Sequence, residues 1–511
     1  MEQSQKNGFI MRSLNGIERV GNKLPHPVTL FFMFAAAVVV LSAIFSAIGV
    51  SVEDPLNEGE TIAVKNLLNS EGILYLFESA VINFTNFAPL GTVLVTMLGI
   101  GIAERSGLIS ASLRGLVTSV PRTLMTAALV FAGVMSSMAA DAGYVVLTPL
   151  GAVLFAGLGR HPLAGLAAAF AGVSGGYSAN LLLTSLDPLL GGMTRDAAAL
   201  IDPAYAEGMN YAMNYYFMFA SVFLITILGT WVTDKIVEPR LGTYKGAAQG
   251  EVNYLKPLEK RGLWGALIAF LVTVVGIALL VIPSSGPLRA GENSIIDAPF
   301  LNTLVPVILI VFFIPGLVYG LITKEIKNDK DVANQLSDTI ATMGSYIVLA
   351  FAAAQFVAYF NESNLGTVLA VRGAEFIDAT GLTGIPLILI FVAVAFLIDL
   401  FIGSASAKWA IMAPVFIPMM MLSGYSPEFT QLVYRIADST ANIISPLMPY
   451  FAIVIAFAQK YDKKVGIGTL ISTMLPYSIV FTIGWVLMML IWMWTGLPIG
   501  PGTPIEYSPI P

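Results

Sequence analysis

The chain contains no cysteine and only two histidines, His26 and His161, in 511 residues. The first absence excludes disulfides, thiolate metal sites and catalytic thiols. The second argues against a histidine-based metal or acid–base centre. Charge is scarce too: Lys, Arg, Asp and Glu make up 11% of the residues against 56% hydrophobic ones, where soluble domains carry about 25% charged residues. With a mean hydropathy of +0.80, there is too little polar surface to face water on all sides. GIGIAERSG (99–107) has glycines but neither a phosphate-binding lysine pattern nor a preceding soluble strand, which argues against nucleotide-driven transport. The basic stretch 234–261 is short and mixed in charge, a solvated loop rather than a nucleic-acid or lipid patch. Residues 1–27 lack a short apolar core with a small-residue cleavage site, so they read as a cytoplasmic lead-in to a first span.

What is present is a series of apolar runs of about 20 residues, the length that crosses a bilayer as a helix. Spans are expected near 28–50, 84–104, 163–190, 213–233, 262–283, 300–322, 340–358, 429–457 and 470–494. The stretches 119–160 and 385–424 are each long enough for two arms but are interrupted by SSMAADAG (136–143) and GSASAK (403–408). Each is read as a helical hairpin that enters the membrane and leaves by the same side. Charge bias supports this map. With a cytoplasmic N-terminus, 20 of the 26 Lys and Arg fall in inner loops, as the positive-inside rule demands. Treating either hairpin as one ordinary span would invert every later loop. The expected fold is therefore an all-α polytopic membrane protein, a single domain over 28–511, with about nine transmembrane helices plus two opposed re-entrant hairpins.

The two hairpins and the spans that follow them align as an internal repeat. DAGYVVLTPL (141–150) sets Tyr144 five positions before Pro149, and SAKWAIMAPV (406–415) sets Trp409 five positions before Pro414. Downstream, GYSANLLLTSLDP (176–188) matches DSTANIISPLMP (438–449), with small-Ala-Asn at 178–180 and 440–442. Inverted repeats with broken helices are the architecture of secondary transporters. A break in hydrocarbon frees backbone groups at several kcal/mol each, so it persists only where protein, water or ligand occupies them. Gly175, Gly176, Pro188, Pro446 and Pro449 are the residues that permit unwinding. The polar run at 437–450 thus reads as a binding site.

Six charged residues fall within the membrane segments: Asp141, Asp187, Asp399, Lys408, Arg435 and Asp438. Each costs about 2.5–3.5 kcal/mol at bilayer centre, so such residues line cavities or pair. Arg435 and Asp438 lie three apart on one helix face. Either they neutralise each other, or Arg435 binds a substrate carboxylate while Asp438 handles a proton or orients the arginine. Asp187 is expected near the outer end of its span, as the cap of an interfacial turn or as part of the site. Asp141 and Lys408 lie at the hairpin tips. Trp409 is either an interface anchor or a stacking platform for an aromatic ligand, and Asp399 a proton carrier or a polar seam residue. Ser178, Asn180, Thr440 and Asn442 offer neutral oxygens for Na⁺ or for interhelical hydrogen bonds.

GNKLPHPVTLF, GRHPLAGLAAAFAGVSGGYSANLLLTSLDPLL, WVTDKIVEPRLG, GSASAKWAIMAPVFIPM, YRIADSTAN and GLPIGPG together resemble the p-aminobenzoyl-glutamate transporter (AbgT) family over essentially the whole chain. The resemblance implies a homodimeric transporter of the bacterial inner membrane with nine spans and two opposed hairpins. It implies uptake of p-aminobenzoyl-glutamate or efflux of sulfonamides, coupled to an H⁺ or Na⁺ gradient, with no bound cofactor and no nucleic-acid partner. It places family core positions on Asp187, Ser406, Trp409, Pro427, Arg435, Asp438 and Pro446. At Asp399 the family pattern implies an uncharged polar residue, so this chain departs from it. The expected function is secondary active transport of an anionic aromatic cargo, with Asn180, Ser406, Trp409, Arg435, Asn442 and Pro446 toward cargo. Asp187, Asp438, Ser178, Thr440 and Asp399 are expected to serve coupling. An intramembrane enzyme is disfavoured, because no histidine or paired base lies near a serine at depth; a channel is a third class.

Overall fold

The structure, a computed structural model, describes residues 25, 27–53, 60–139, 143–244, 254–290, 299–445, 448 and 450–509. It is all-helical apart from one small antiparallel pair, β1 (Ser51–Glu53) and β2 (Thr61–Ala63). Eight helices among the described residues are long and apolar enough to cross a membrane, or nine if one bent pair counts as a span. Seven coincide with expected spans: α1 (Pro27–Ala47), α4 (Ala88–Arg105), α11 (Tyr215–Val232), α12 (Pro257–Val281), α13 (Leu304–Thr323), α15 (Gly344–Glu362) and α21 (Ile467–Thr495). Many of their large apolar side chains are exposed, among them Ile268, Val272 and Leu279 of α12 and Ile479, Ile483 and Leu487 of α21. That pattern suits helices bathed in lipid, where every backbone bond is made within the helix.

The other two expected spans are interrupted. The first comprises α8 (Pro162–Gly175) and α9 (Leu186–Ala198), separated by ten non-helical residues, 176–185. Its second half runs eight residues beyond the expected end at 190. The second comprises α19 (Pro427–Asn442) and α20 (Phe451–Ala458). Every residue of α8 and α19 is buried. These two helices form the centre of the molecule.

Each interrupted helix follows a helical hairpin. α6 (Met125–Met135) and α7 (Thr148–Gly157) are the arms of the first, joined through a 3₁₀ turn at Ser136–Ala139 and a π turn at Gly143–Leu147. At 11 and 10 residues, each arm is about 15–17 Å long, half the hydrocarbon thickness. The chain reaches α6 through α5 (Leu108–Thr118), from which it turns by 117°. The second hairpin has arms α17 (Ile385–Asp399) and α18 (Ala405–Leu422) around the turn 400–404.

Several helices carry weak apolar patterns and were not anticipated: α2 (Ser70–Glu78), α3 (Ala80–Thr85), α5, α10 (Pro203–Gly208), α14 (Asp329–Thr342) and α16 (Leu365–Thr380). α14 is polar and packs on α4, where Arg105 reaches Thr339 at 3.1 Å and Asp338 at 3.4 Å. The closing segment is also fixed. Ser426 just before α19 donates from its hydroxyl to Pro504 O at 2.7 Å and from its amide to Ile505 O at 2.9 Å.

Small residues let the first hairpin seat on α8. Gly133 of α6 faces Gly172, and Gly151 of α7 faces Gly165, each so close that an added Cβ would collide with the opposing backbone. Such contacts replace the hydrophobic drive that lipid cannot supply between helices. At its far end the hairpin is tied to α11 and its π extension: Arg160 pairs with Asp234 at 2.6 Å and with Glu238, and donates to Thr126 Oγ1 at 2.7 Å. Gly165→Ala is therefore expected to destabilise the detergent-solubilised protein by about 1–3 kcal/mol, as overpacking does. Gly157→Ala, which meets nothing within 4 Å, should stay within about 0.5 kcal/mol of the parent. Equal thermal transitions for the two variants would refute the close hairpin contact.

Candidate functional site

The site forms where the breaks of the two interrupted helices face each other. α8 stops because Gly175 and Gly176 tolerate a crowded, poorly helical exit. An added Cβ at Gly175 would run into Ile443 and Phe481, and one at Gly176 into Gly172 O and Val134. α19 starts on an N-cap in which the Ser426 hydroxyl accepts from Phe429 N at 3.1 Å, with Pro427 in the first turn. It ends at Asn442, ahead of Ser445-Pro446, where proline removes a donor and biases its predecessor away from helix. Each break touches the other interrupted helix: Ser178 N in the first break donates to Ser439 Oγ in the last turn of α19 at 3.2 Å, and Met448 Sδ, between α19 and α20, lies 3.8 Å from Ser174 Oγ of α8.

The charges of α19 reach outward from this crossing rather than toward each other. Arg435 Nη1 donates to Asp187 Oδ1 at 2.8 Å, and Nη2 lies 3.4 Å from Ser178 O. Its partner is thus in the other interrupted helix, which removes the alternative of a local pair with Asp438. Asp187 is buried in the first turn of α9 and not near the outer end of a span. Its second oxygen accepts from Thr184 N at 2.7 Å and so closes the end of the break. Asp438 instead lies 2.6 Å from the Lys408 ammonium, 3.3 Å from the Tyr434 hydroxyl and 3.2 Å from Asn442 Nδ2. Lys408 also contacts Asp399 at the end of α17. Lys408 and Asp399 are completely buried, and the hairpin turn between them is held by Ser445 Oγ donating to Asp399 O at 3.3 Å.

Several polar atoms here are buried yet have no protein hydrogen-bond partner among the described residues: Arg435 Nε, Asn180 Nδ2, Ser178 Oγ and Asn442 Oδ1. Buried polar groups are nearly always satisfied, so an unsatisfied group calls for an explanation. These two donors and two hydroxyl or carbonyl oxygens belong to the first break and to α19. That combination can hold a carboxylate on Arg435 and Asn180, while Ser178 and Asn442 offer oxygens. α9 starts one residue before Asp187 and α18 three residues before Lys408, so both bring a positive dipole end to these buried charges.

Other expected residues are placed differently. Trp409 is buried, so it is no interface anchor. Its indole donates to Thr194 Oγ1 at 2.9 Å, and its ring stacks on Tyr434 at 4.4 Å between centroids. Thr440 donates its hydroxyl back to Ile436 O at 2.9 Å, within its own helix. Ser406 sits half-buried beside Ser404, 3.3 Å away, on the second hairpin's turn side. Pro446 and Asp141 lie outside the described residues. Tyr434, Ser137, Ser439 and Thr184 belong to the site and were missed. Ser137 contacts Asn180 from the first hairpin, and Tyr434 lies one turn before Asp438, a spacing that pairs side chains on a helix.

Because Arg435 and Asp187 form one buried pair, Asp187→Asn should strand the arginine and cost about 3–5 kcal/mol. The double variant Asp187→Asn/Arg435→Gln should recover stability relative to the single one, measured as the melting temperature in detergent. A double variant less stable than Asp187→Asn would contradict the pairing.

Comparison with known proteins agrees with this layout. Residues 12–507 match the family described as "AbgT putative transporter family". The chain is 40% identical over 487 residues to the p-aminobenzoyl-glutamate transport protein of Escherichia coli (strain K12), covering 95% of each. The crystal structure of the Alcanivorax borkumensis YdaH transporter superposes with a TM-score of 0.89 at 45% identity, covering 93% of this chain and all of that one. Neisseria gonorrhoeae MtrF, from a class of antimetabolite efflux pumps, superposes with a TM-score of 0.91 at 48% identity over 96% of this chain and all of its own. These relatives are transporters, not enzymes. The chain belongs to the AbgT family of membrane transporters.

Proposed function

We propose that this protein is a secondary active transporter that moves p-aminobenzoyl-glutamate, or a related p-aminobenzoate-like anion, across the bacterial inner membrane under an H⁺ or Na⁺ gradient. One observation carries the reading: a buried guanidinium, held by Asp187 between two broken helices, keeps an Nε without a hydrogen-bond partner among the described residues, as does Asn180 Nδ2 in the first break. A guanidinium offers a carboxylate two parallel donors, and the E. coli relative takes its name from a cargo with glutamate carboxylates. Arg435, Asn180 and Asn442 face the anionic end, and the turn at Ser406 borders it. Trp409 and its stacking partner Tyr434 supply the aromatic wall. Asp438, with Asp187, Ser178 and Thr440, serves cation coupling. The protein works as a homodimer with its N-terminus in the cytoplasm, and the two hairpin-plus-broken-helix units form an inverted repeat that rocks against the frame; the bias of basic residues supports that orientation.

Efflux of sulfonamide antimetabolites through the same site is the second reading. It draws support from the 48% identity to MtrF, because sulfonamides mimic the p-aminobenzoate ring.

In proteoliposomes with imposed H⁺ or Na⁺ gradients, radiolabelled p-aminobenzoyl-glutamate should show saturable, gradient-driven flux; flux indifferent to both gradients would refute coupling. Asp438→Asn should abolish coupled flux while the protein still inserts. Arg435→Lys should raise the KM for this cargo about tenfold or more, since an ammonium cannot replace a bidentate fork. An unchanged KM would remove Arg435 from carboxylate recognition.

A further inference from the structure

Asp399, read from the sequence as a coupling residue or a polar seam residue, and Lys408 have no part in the roles proposed above, yet they are the most deeply buried charges of the site. Around the crossing, three carboxylates (Asp187, Asp399 and Asp438) face two cations, Arg435 and Lys408. Arg435 and Asp187 match one to one. Lys408 is shared by two carboxylates, which leaves one negative charge in excess where none is exposed. An uncompensated buried charge is strongly destabilising, so the cluster must neutralise it.

The surroundings indicate which carboxylate takes up the balance. The ionised form of Asp438 is supported by Lys408 and Asn442 Nδ2, while the nearby Tyr434 hydroxyl gives its proton to Ala405 O at 2.6 Å. Among the described residues Asp399 has only its contact with Lys408, and neither of its carboxylate oxygens receives any other hydrogen bond. The remaining titratable and charged groups near the cluster are Arg435 and Asp187, with Tyr144 and Tyr177 beyond. None of these gives Asp399 a second cation. A metal cation fits poorly, because the ammonium already lies between the two carboxylates. No group of three or more His, Cys, Asp or Glu able to hold a metal occurs among the described residues.

We infer that Asp399 is a second proton-carrying carboxylate of the transport cycle, and that Lys408 is the tethered ammonium that passes between Asp399 and Asp438 as that proton comes and goes. A proton from the aqueous phase on one side adds to Asp399, which frees Lys408 to pair fully with Asp438. When the core opens to the other side, water draws Lys408 back, and the proton leaves Asp399 to that side. Only one O–H bond forms and breaks. The consequence is one more proton per cargo molecule than Asp438 alone can carry. This rests on the proton-coupled form of the proposed function.

The test is the coupling stoichiometry of reconstituted protein, measured with p-aminobenzoyl-glutamate from the proton-gradient-dependent reversal potential. Asp399→Asn should remain folded, because it mimics the protonated side chain, and should move one proton fewer per cargo than wild type. Lys408→Met should lose coupled flux and monodispersity, since it leaves two carboxylates without a cation. An unchanged stoichiometry in Asp399→Asn would overturn the inference, as would failure of that isosteric variant to fold or wild-type behaviour of Lys408→Met. Wild-type protein that shows no proton-coupled flux at all would instead refute the coupled-transport reading itself.

Discussion

A helix broken at bilayer depth leaves backbone donors and acceptors that lipid cannot satisfy, and the architecture of this protein follows from that constraint. Each break is answered by the other. Ser178 N is taken by Ser439 Oγ, and Arg435 Nη2 reaches toward Ser178 O. Thr440 O accepts from Ser478 Oγ of α21, so the last helix also closes the second break. Neither interrupted helix would be stable alone in hydrocarbon, so they must be buried together. That requirement explains why α8 and α19 are enclosed along their whole length while the long helices around them stay exposed to lipid.

The same crossing controls the electrostatics. At an interior dielectric far below that of water, charges interact over many ångströms, so five charges in one small volume behave as a unit. Arg435–Asp187 joins the two broken helices, and Asp399–Lys408–Asp438 joins the second hairpin to α19. Changing the charge on one carboxylate therefore changes which elements are held together. A bistable contact of this kind lets binding of a small ion or anion bias a large movement, which is what alternating access requires.

Much of the frame was legible in the sequence, because a run of about 20 apolar residues has few alternatives to a membrane-crossing helix. The breaks were legible as well, since Gly175-Gly176 and the prolines after Ser445 are punctuation that a continuous helix would not carry. Pairing was not. Arg435 and Asp438 are neighbours on one helix and invite a local ion pair, but each finds its partner in a distant segment, Asp187 and Lys408 respectively. Nothing in local spacing encodes which helix lies opposite. Trp409 beside a polar turn left an interface anchor and a stacking platform both open, and tertiary contact with Tyr434 and Thr194 buries it. Short amphipathic helices such as α5 and α14 escaped notice because they neither span a membrane nor form a soluble core.

The central claim is that the first break lies against the end of α19, and the chain's lack of cysteine allows a direct measurement. With cysteines at positions 178 and 439, where backbone amide and hydroxyl are 3.2 Å apart, mild oxidation in membranes should form an intramolecular disulfide. The account predicts cross-linking comparable to that of a reference pair at Ser51 and Ala63, which lie directly opposite each other in the antiparallel pair of β1 and β2, and slower cross-linking when cargo is bound. Efficient cross-linking of the reference pair with none between 178 and 439 would contradict it.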